Sequence, residues 1–191
     1  MLSVGRIARD KEERNMRRIG VVTNHGKPVT LIGPSLGEGD RAPDFTVLDS
    51  ELSEVRLDDF SGKIKLISVT PSLDTAVCDL QLRRFNHEAA SLPGDVIVLN
   101  MSMDLPFAIN RFCTTAGIDR VKALSDHREA SFGRAYGVLI DELRLLARSI
   151  FIVDKFNRIR YVEIVPELTR HPDYERALTA LKEVTSPAKA A

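Results

Sequence analysis

Cysteine is scarce in this chain of 191 residues: there are two, Cys78 and Cys113. Two are too few to staple a disulfide scaffold, and in a reducing compartment a cysteine pair is more often catalytic or regulatory than structural. No C-x-x-C or H-x-x-x-H spacing occurs, and His25, His87, His127 and His171 are scattered. Neither a metal site nor a cofactor is therefore expected. An excess of charge of one sign is also missing, since Lys plus Arg and Asp plus Glu both number 27. That balance argues against nucleic acid or a membrane surface as a partner held by bulk electrostatics. Long apolar runs are absent too: nothing approaches the roughly 20 residues of a membrane span, and residues 1–18 lack the apolar block of a secretory signal. The expected location is cytoplasmic.

What the chain does have is 43% hydrophobic residues, enough to bury one substantial core without a second domain. Residues 1–18 set Arg6, Arg9, Lys11, Arg14, Arg17 and Arg18 against Asp10, Glu12 and Glu13 and read as a charged, solvated extension. The domain is expected over 19–185, with a frayed tail over 186–191. Residues 21–23 and 29–32 flank a Gly-containing turn as a hairpin, and short strands are expected at 45–48 and 54–57. A regular alternation follows. A buried strand over 64–69 leads to a helix striped by Leu82, Phe85, Ala89 and Leu92, then to a strand over 96–101. A helix opened by Asp104 and Pro106 runs to Gly117, a short strand covers 121–124, and a helix over 128–136 stops at Gly137. Strands at 150–153 and 159–164 form an antiparallel hairpin, and the last helix covers 173–184. This order predicts an α/β chain with a thioredoxin-like fold: a mixed central sheet, helices on both faces and an N-terminal β-hairpin extension.

In that layout Cys78 begins a helix at the carboxyl end of the sheet, where open α/β folds place their sites. A helix N-terminus offers unpaired N–H groups and partial positive charge, both of which favour a thiolate. Free cysteine is equally among the most buried residue types, packing as a small hydrophobe. Position alone leaves both readings open.

Pro71, Thr75 and Cys78 make the spacing P-x-x-x-T-x-x-C, which resembles the active-site motif of the peroxiredoxins, and the run PSLDTAVC over 71–78 resembles their thiol peroxidase branch. Two further blocks resemble the same branch: Asp104, Leu105, Pro106, Phe107 and Ala108 followed by Arg111, Phe112 and Cys113, and then Ala147 and Arg148. The resemblance runs from Val21 to Val184. The charged extension and the run Leu92, Pro93, Gly94 depart from it without touching the motif residues.

The resemblance implies an atypical two-cysteine peroxiredoxin that reduces hydrogen peroxide and alkyl or lipid hydroperoxides. Cys78 would attack the peroxide and become a sulfenic acid. Cys113 would resolve it as an intramolecular Cys78–Cys113 disulfide, a thioredoxin-like reductant would restore both thiols, and a homodimer is implied. Such chemistry needs a nucleophile, a donor for the peroxide and positive charge at the leaving oxygen. The Thr75 hydroxyl is close enough in sequence to reach the sulfur, although threonine is also an ordinary helix cap. Pro71 can shield the thiolate or simply end a strand. Arg148 matches the family's active-site arginine, whereas composition alone would put it on the surface. Cys113 shares a helix with Ile109 and Phe112, so a core thiol is its plain alternative. The two thiols sit on different helices, and a disulfide needs Cα atoms about 4.4–6.8 Å apart, so a wider reduced pair would require the helix ends to shift. Leu73, Val77 and Phe107 are expected to form an apolar substrate rim. The missing C-x-x-C disfavours a disulfide reductase, while a peroxide-sensing switch that relays oxidation to a partner would keep the same residues.

Overall fold

The computed structural model describes residues 16–186, so the extension expected over 1–15 and the tail over 187–191 lie outside the described residues. Strands β1 (Arg17–Asn24) and β2 (Lys27–Ile32) pair antiparallel with Asn24 opposite Lys27. Between them His25 and Gly26 take φ of 49° and 76°. Two positive φ values in a two-residue loop define a tight primed turn, whose twist matches the strands and which glycine adopts without steric cost. β1 begins inside the stretch assigned to the extension. Arg18 donates from Nε to Gly33 O at 3.2 Å and from its terminal nitrogen to Gly137 O, partners 15 and 119 residues away that a charge count cannot reveal.

Next come β3 (Thr46–Leu48), β4 (Glu54–Arg56), β5 (Ile64–Val69), α1 (Ala76–Ala89), β6 (Val96–Ser102), α2 (Pro106–Ala116) and β7 (Val121–Ser125). α3 (Ser131–Ala135), β8 (Leu139–Ile140), β9 (Leu145–Leu146), β10 (Ser149–Val153), β11 (Ile159–Ile164) and α4 (Tyr174–Thr185) complete the described chain. The central sheet runs β11-β10-β5-β6-β7-β3-β4, parallel across β5, β6 and β7 and antiparallel elsewhere, which is the expected mixed sheet.

The period-2 alternation of β5 divides the core. Ile64 and Leu66 face a cluster with Leu82 and Phe85 of α1, Ile109 of α2 and Ala177 and Leu181 of α4, while Ile67 and Val69 face Phe132 of α3, Tyr136 and Phe151. Helices therefore lie on both faces, but unevenly: three long ones on one side and the short α3 on the other. The second face is completed by a four-stranded sheet, β1-β2-β8-β9. Its β8–β9 hairpin has no counterpart in the sequence pattern, because two-residue strands carry no measurable period.

α3 is shorter than the helix expected over 128–136. Ala130 sits at φ 51°, and the buried Asp126 carboxylate starts the helix by accepting from the N–H groups of Phe132 and Gly133 at 3.0 and 2.8 Å. On β5 itself Lys65 is fully buried, donating to Asn157 Oδ1 at 2.5 Å and to Asp154 O at 3.3 Å, and so ties the β10–β11 turn to the sheet. Burial holds its ammonium below the usual lysine range, partly opposed by Asp154.

Candidate active site

The loop leaving β5 is shaped by its neighbour. Asp104, which follows β6, accepts from Ser72 Oγ at 2.7 Å and from the Leu73 N–H at 2.8 Å, lashing together the loops after two adjacent parallel strands. Asp104 does not open α2 as expected: Leu105 is the N-cap and Pro106 fills the first turn, where a missing N–H costs nothing. Pro71 ends the strand and is buried.

Thr75 is the N-cap of α1, with φ −106° and ψ 142°, yet its hydroxyl caps no helical N–H. The hydroxyl lies 2.8 Å from Cys78 Sγ and 3.2 Å from Ser72 O. The cap position and the donor role thus coexist, with one proton shared between sulfur and carbonyl. Cys78 is fully buried on the α1 stripe with Gln81, Leu82 and Phe85.

Arg148 directly precedes β10 and, contrary to its composition-based placement on the surface, is 1% exposed. One terminal nitrogen donates to Cys78 Sγ at 3.3 Å and the other to Gln81 Oε1 at 2.7 Å, while Nε and the first nitrogen also donate to Leu168 O at 3.2 and 3.0 Å. Gln81 passes the constraint on by donating to Ser68 Oγ at 2.8 Å. A sulfur, an amide oxygen and a peptide carbonyl orient the guanidinium without neutralising it, so its charge stabilises a thiolate and any oxyanion beside it.

A cavity of about 280 Å³ opens against this group, lined by Pro71, Thr75, Val77 and Arg148 together with Leu143, Leu145, Leu168 and the hairpin tip Asn24–His25. Of the expected rim residues Val77 lines it and the other two do not. Leu73 is 3% exposed, packed into the core with Leu82 and Phe85, and Phe107 is 66% exposed on α2. The apolar wall comes instead from β9, the loop before it and Leu168, segments remote in sequence. Gln81 and Leu168 are site residues that sequence reasoning missed. Gln81 left a signal, a polar side chain on a buried stripe three residues after Cys78; Leu168 left none, because it acts on Arg148 through its carbonyl.

Cys113 is a partly buried free thiol, as Cys78 is a buried one, and it lines a separate cavity of about 330 Å³ with Asp49, Glu51, Ile109 and Ile118. Burial pushes its thiol above the ordinary range. The fold gathers Pro71, Thr75, Cys78 and Arg148 and leaves Cys113 apart. Among the described residues no group of three or more His, Cys, Asp or Glu could hold a metal ion, and no helix is long and apolar enough to cross a membrane.

A buried sulfur between a hydroxyl and a guanidinium can hold an O–O bond in line for nucleophilic attack. Comparison with known proteins places the chain in a family. Residues 37–178 match the Redoxin family. The thiol peroxidase of Halalkalibacterium halodurans is 57% identical over 84% of this chain and 96% of its own length, and that of Bacillus subtilis 56% identical over the same shares. A peroxiredoxin-like protein from Aquifex aeolicus superposes with a TM-score of 0.80 at 41% identity, covering 85% of this chain and 96% of the other. The chain belongs to the redoxin family, among its thiol peroxidases, and is a peroxiredoxin-type peroxidase.

Proposed function

We propose that Cys78 is the peroxidatic nucleophile and that it acts on hydrogen peroxide and on alkyl or lipid hydroperoxides. The observation that carries this is the convergence of Thr75 Oγ1 and the Arg148 guanidinium on one buried sulfur, at 2.8 and 3.3 Å. The thiolate attacks the terminal peroxide oxygen and the O–O bond breaks. Cys78 becomes a sulfenic acid, and the departing alkoxide or hydroxide, held against Arg148 and the Thr75 hydroxyl, takes a proton from solvent to leave as alcohol or water. Pro71 contributes no N–H to the cavity and shields the sulfur from water. The lining of Val77, Leu143, Leu145 and Leu168 supports an organic chain on the peroxide.

Cys113 resolves the sulfenic acid: its sulfur bonds to Cys78 Sγ, water departs, and a thioredoxin-type dithiol reduces the resulting disulfide. The placement of Cys113 in a separate cavity supports a step in which the helix segments that carry the two thiols shift. Exposure then also removes the burial that keeps this thiol protonated. Leu80, Leu105 and Phe107 on and beside the first turns of α1 and α2 are exposed apolar side chains, which supports a homodimer that covers them.

Turnover of cumene hydroperoxide with thioredoxin, thioredoxin reductase and NADPH tests the whole cycle. Cys78→Ser should abolish it. Cys113→Ser should be oxidised once per chain and then stall, over-oxidising at Cys78. Sustained turnover by either variant would refute its assigned role, and a single stoichiometric oxidation of the unmodified protein would point to a redox switch.

A further inference from the structure

Glu167 stands outside the reaction described above, yet its carboxylate is saturated. Oε2 accepts from Thr23 Oγ1 at 2.8 Å and from the Gly26 N–H at 2.9 Å. Oε1 accepts from the His25 N–H at 3.1 Å and from the N–H and hydroxyl of Thr169 at 3.1 and 2.9 Å. These partners belong to two segments far apart in sequence: the β1–β2 hairpin and the loop leaving β11. Backbone bonds run alongside, from the Thr23 N–H to Pro166 O at 2.8 Å and from the Leu168 N–H to Thr23 O at 3.0 Å. Donors from the Gly26 N–H and the Thr23 hydroxyl hold the carboxyl well below the usual carboxylate range, so the grip stays charged at neutral pH.

Both gripped segments touch the active site. The turn presents Asn24 and His25 to the cavity, and the loop presents Leu168, whose carbonyl accepts from Arg148. A continuous path therefore leads from the Glu167 carboxylate through the hairpin and Leu168 to the guanidinium and on to Cys78 Sγ.

We propose that Glu167 is a positioning residue of the peroxidatic site: by latching the hairpin turn it fixes the Leu168 carbonyl that aims Arg148 at Cys78, and it keeps Asn24 and His25 in place as a wall of the cavity. The inference rests on the reading of Cys78 as nucleophile. It gives the N-terminal hairpin a catalytic purpose. Misaiming by a fraction of an ångström is costly for an oriented reaction, whereas a mere staple would alter stability alone.

The test uses the full chain carrying Cys113→Ser, in which Cys78 is the only thiol. Glu167→Ala and Glu167→Gln are compared with this parent by the pH profile of iodoacetamide alkylation, by single-turnover oxidation with hydrogen peroxide and with cumene hydroperoxide, and by thermal melting. For Glu167→Ala the alkylation profile should move to higher pH and oxidation slow about tenfold, more for cumene hydroperoxide than for hydrogen peroxide. Glu167→Gln, which keeps one acceptor oxygen, should fall between. A folded variant with the parent's alkylation profile and rates within about twofold of the parent would overturn the proposal, whatever its melting temperature. If Glu167→Ala does not fold, Glu167→Gln decides by the same two readouts. Should the parent itself resist oxidation while Cys78 is still alkylated, the nucleophile assignment fails, and the alkylation profile alone still decides whether Glu167 aims Arg148.

Discussion

Replacing Arg148 with methionine removes a permanent charge from 3.3 Å beside the Cys78 sulfur while conserving most of the buried volume. Coulomb's law at that separation gives about 5 kcal/mol of thiolate stabilisation at an effective dielectric of about 20, and about 1.3 kcal/mol in water. The smaller figure is the safe floor, and every ~1.4 kcal/mol is tenfold in the thiolate population or in the rate of a step that forms an oxyanion at the same place. Stability is a separate ledger: losing the bonds to Leu168 O and Gln81 Oε1 leaves two acceptors unpaired at about 1–3 kcal/mol each, partly offset by no longer burying a cation. For Arg148→Met we expect kcat/KM for peroxide to fall at least about tenfold at neutral pH, and the Cys78 alkylation profile to move up by at least about one pH unit. A lower melting temperature should accompany both changes, so both are read on protein shown to be folded. Stopped-flow oxidation in the Cys113→Ser background and iodoacetamide titration read the two effects. A variant that kept more than about a third of the rate with an unmoved profile would refute the electrostatic role.

Three other outcomes follow from the fold. Burial raises the Asp126 carboxyl to about 6, against the N–H bonds from Gly133 and Phe132 that pull it down. The folded state thus holds this proton more tightly than the unfolded chain, and the contribution, on the order of 3 kcal/mol, is complete below about pH 3.8 and lost as pH rises through about 6. The melting temperature of the unmodified protein minus that of Asp126→Asn should accordingly decline across that window, and a flat difference would count against it. Gly137 has φ 66°, and a Cβ there would overlap Pro34 O and the Arg18 guanidinium. Strain plus a forced backbone shift should cost Gly137→Ala about 3 kcal/mol, lowering Tm by about 6–12 °C in a calorimetric scan. Leu145→Gln puts a polar group into the cavity wall and should lower kcat/KM for cumene hydroperoxide about tenfold relative to hydrogen peroxide, a ratio that stays constant if Leu145 does not contact substrate.

Local pattern made much of this legible in advance. The strand–helix alternation from Ile64 to Ala116 and the β10–β11 hairpin follow from hydrophobic period and turn residues, because each element buries one face against its sequence neighbours. Cys78 and Thr75 were legible for a similar reason, lying three residues apart on one helical turn. Pairings of short segments were not. β8 and β9 are two residues each, and the start of β1 at Arg17 is sustained by Arg18 reaching Gly33 and Gly137. The helix start at Ser131 depends on the Asp126 carboxylate rather than on a side chain next to it.

By itself the sequence determined the class of chain, the mixed sheet and the helix that Cys78 begins, all properties of near neighbours along the backbone. Only tertiary structure decided that Arg148 is buried and aimed at the sulfur, and that Leu73 and Phe107 lie elsewhere while Leu145 and Leu168 form the wall. It also decided that Cys113 lines a separate cavity and that Glu167 accepts from the β1–β2 turn. Arg148 and Glu167 are held by hydrogen bonds to backbone groups 20 to 142 residues away, and a peptide group looks the same in every residue of the sequence.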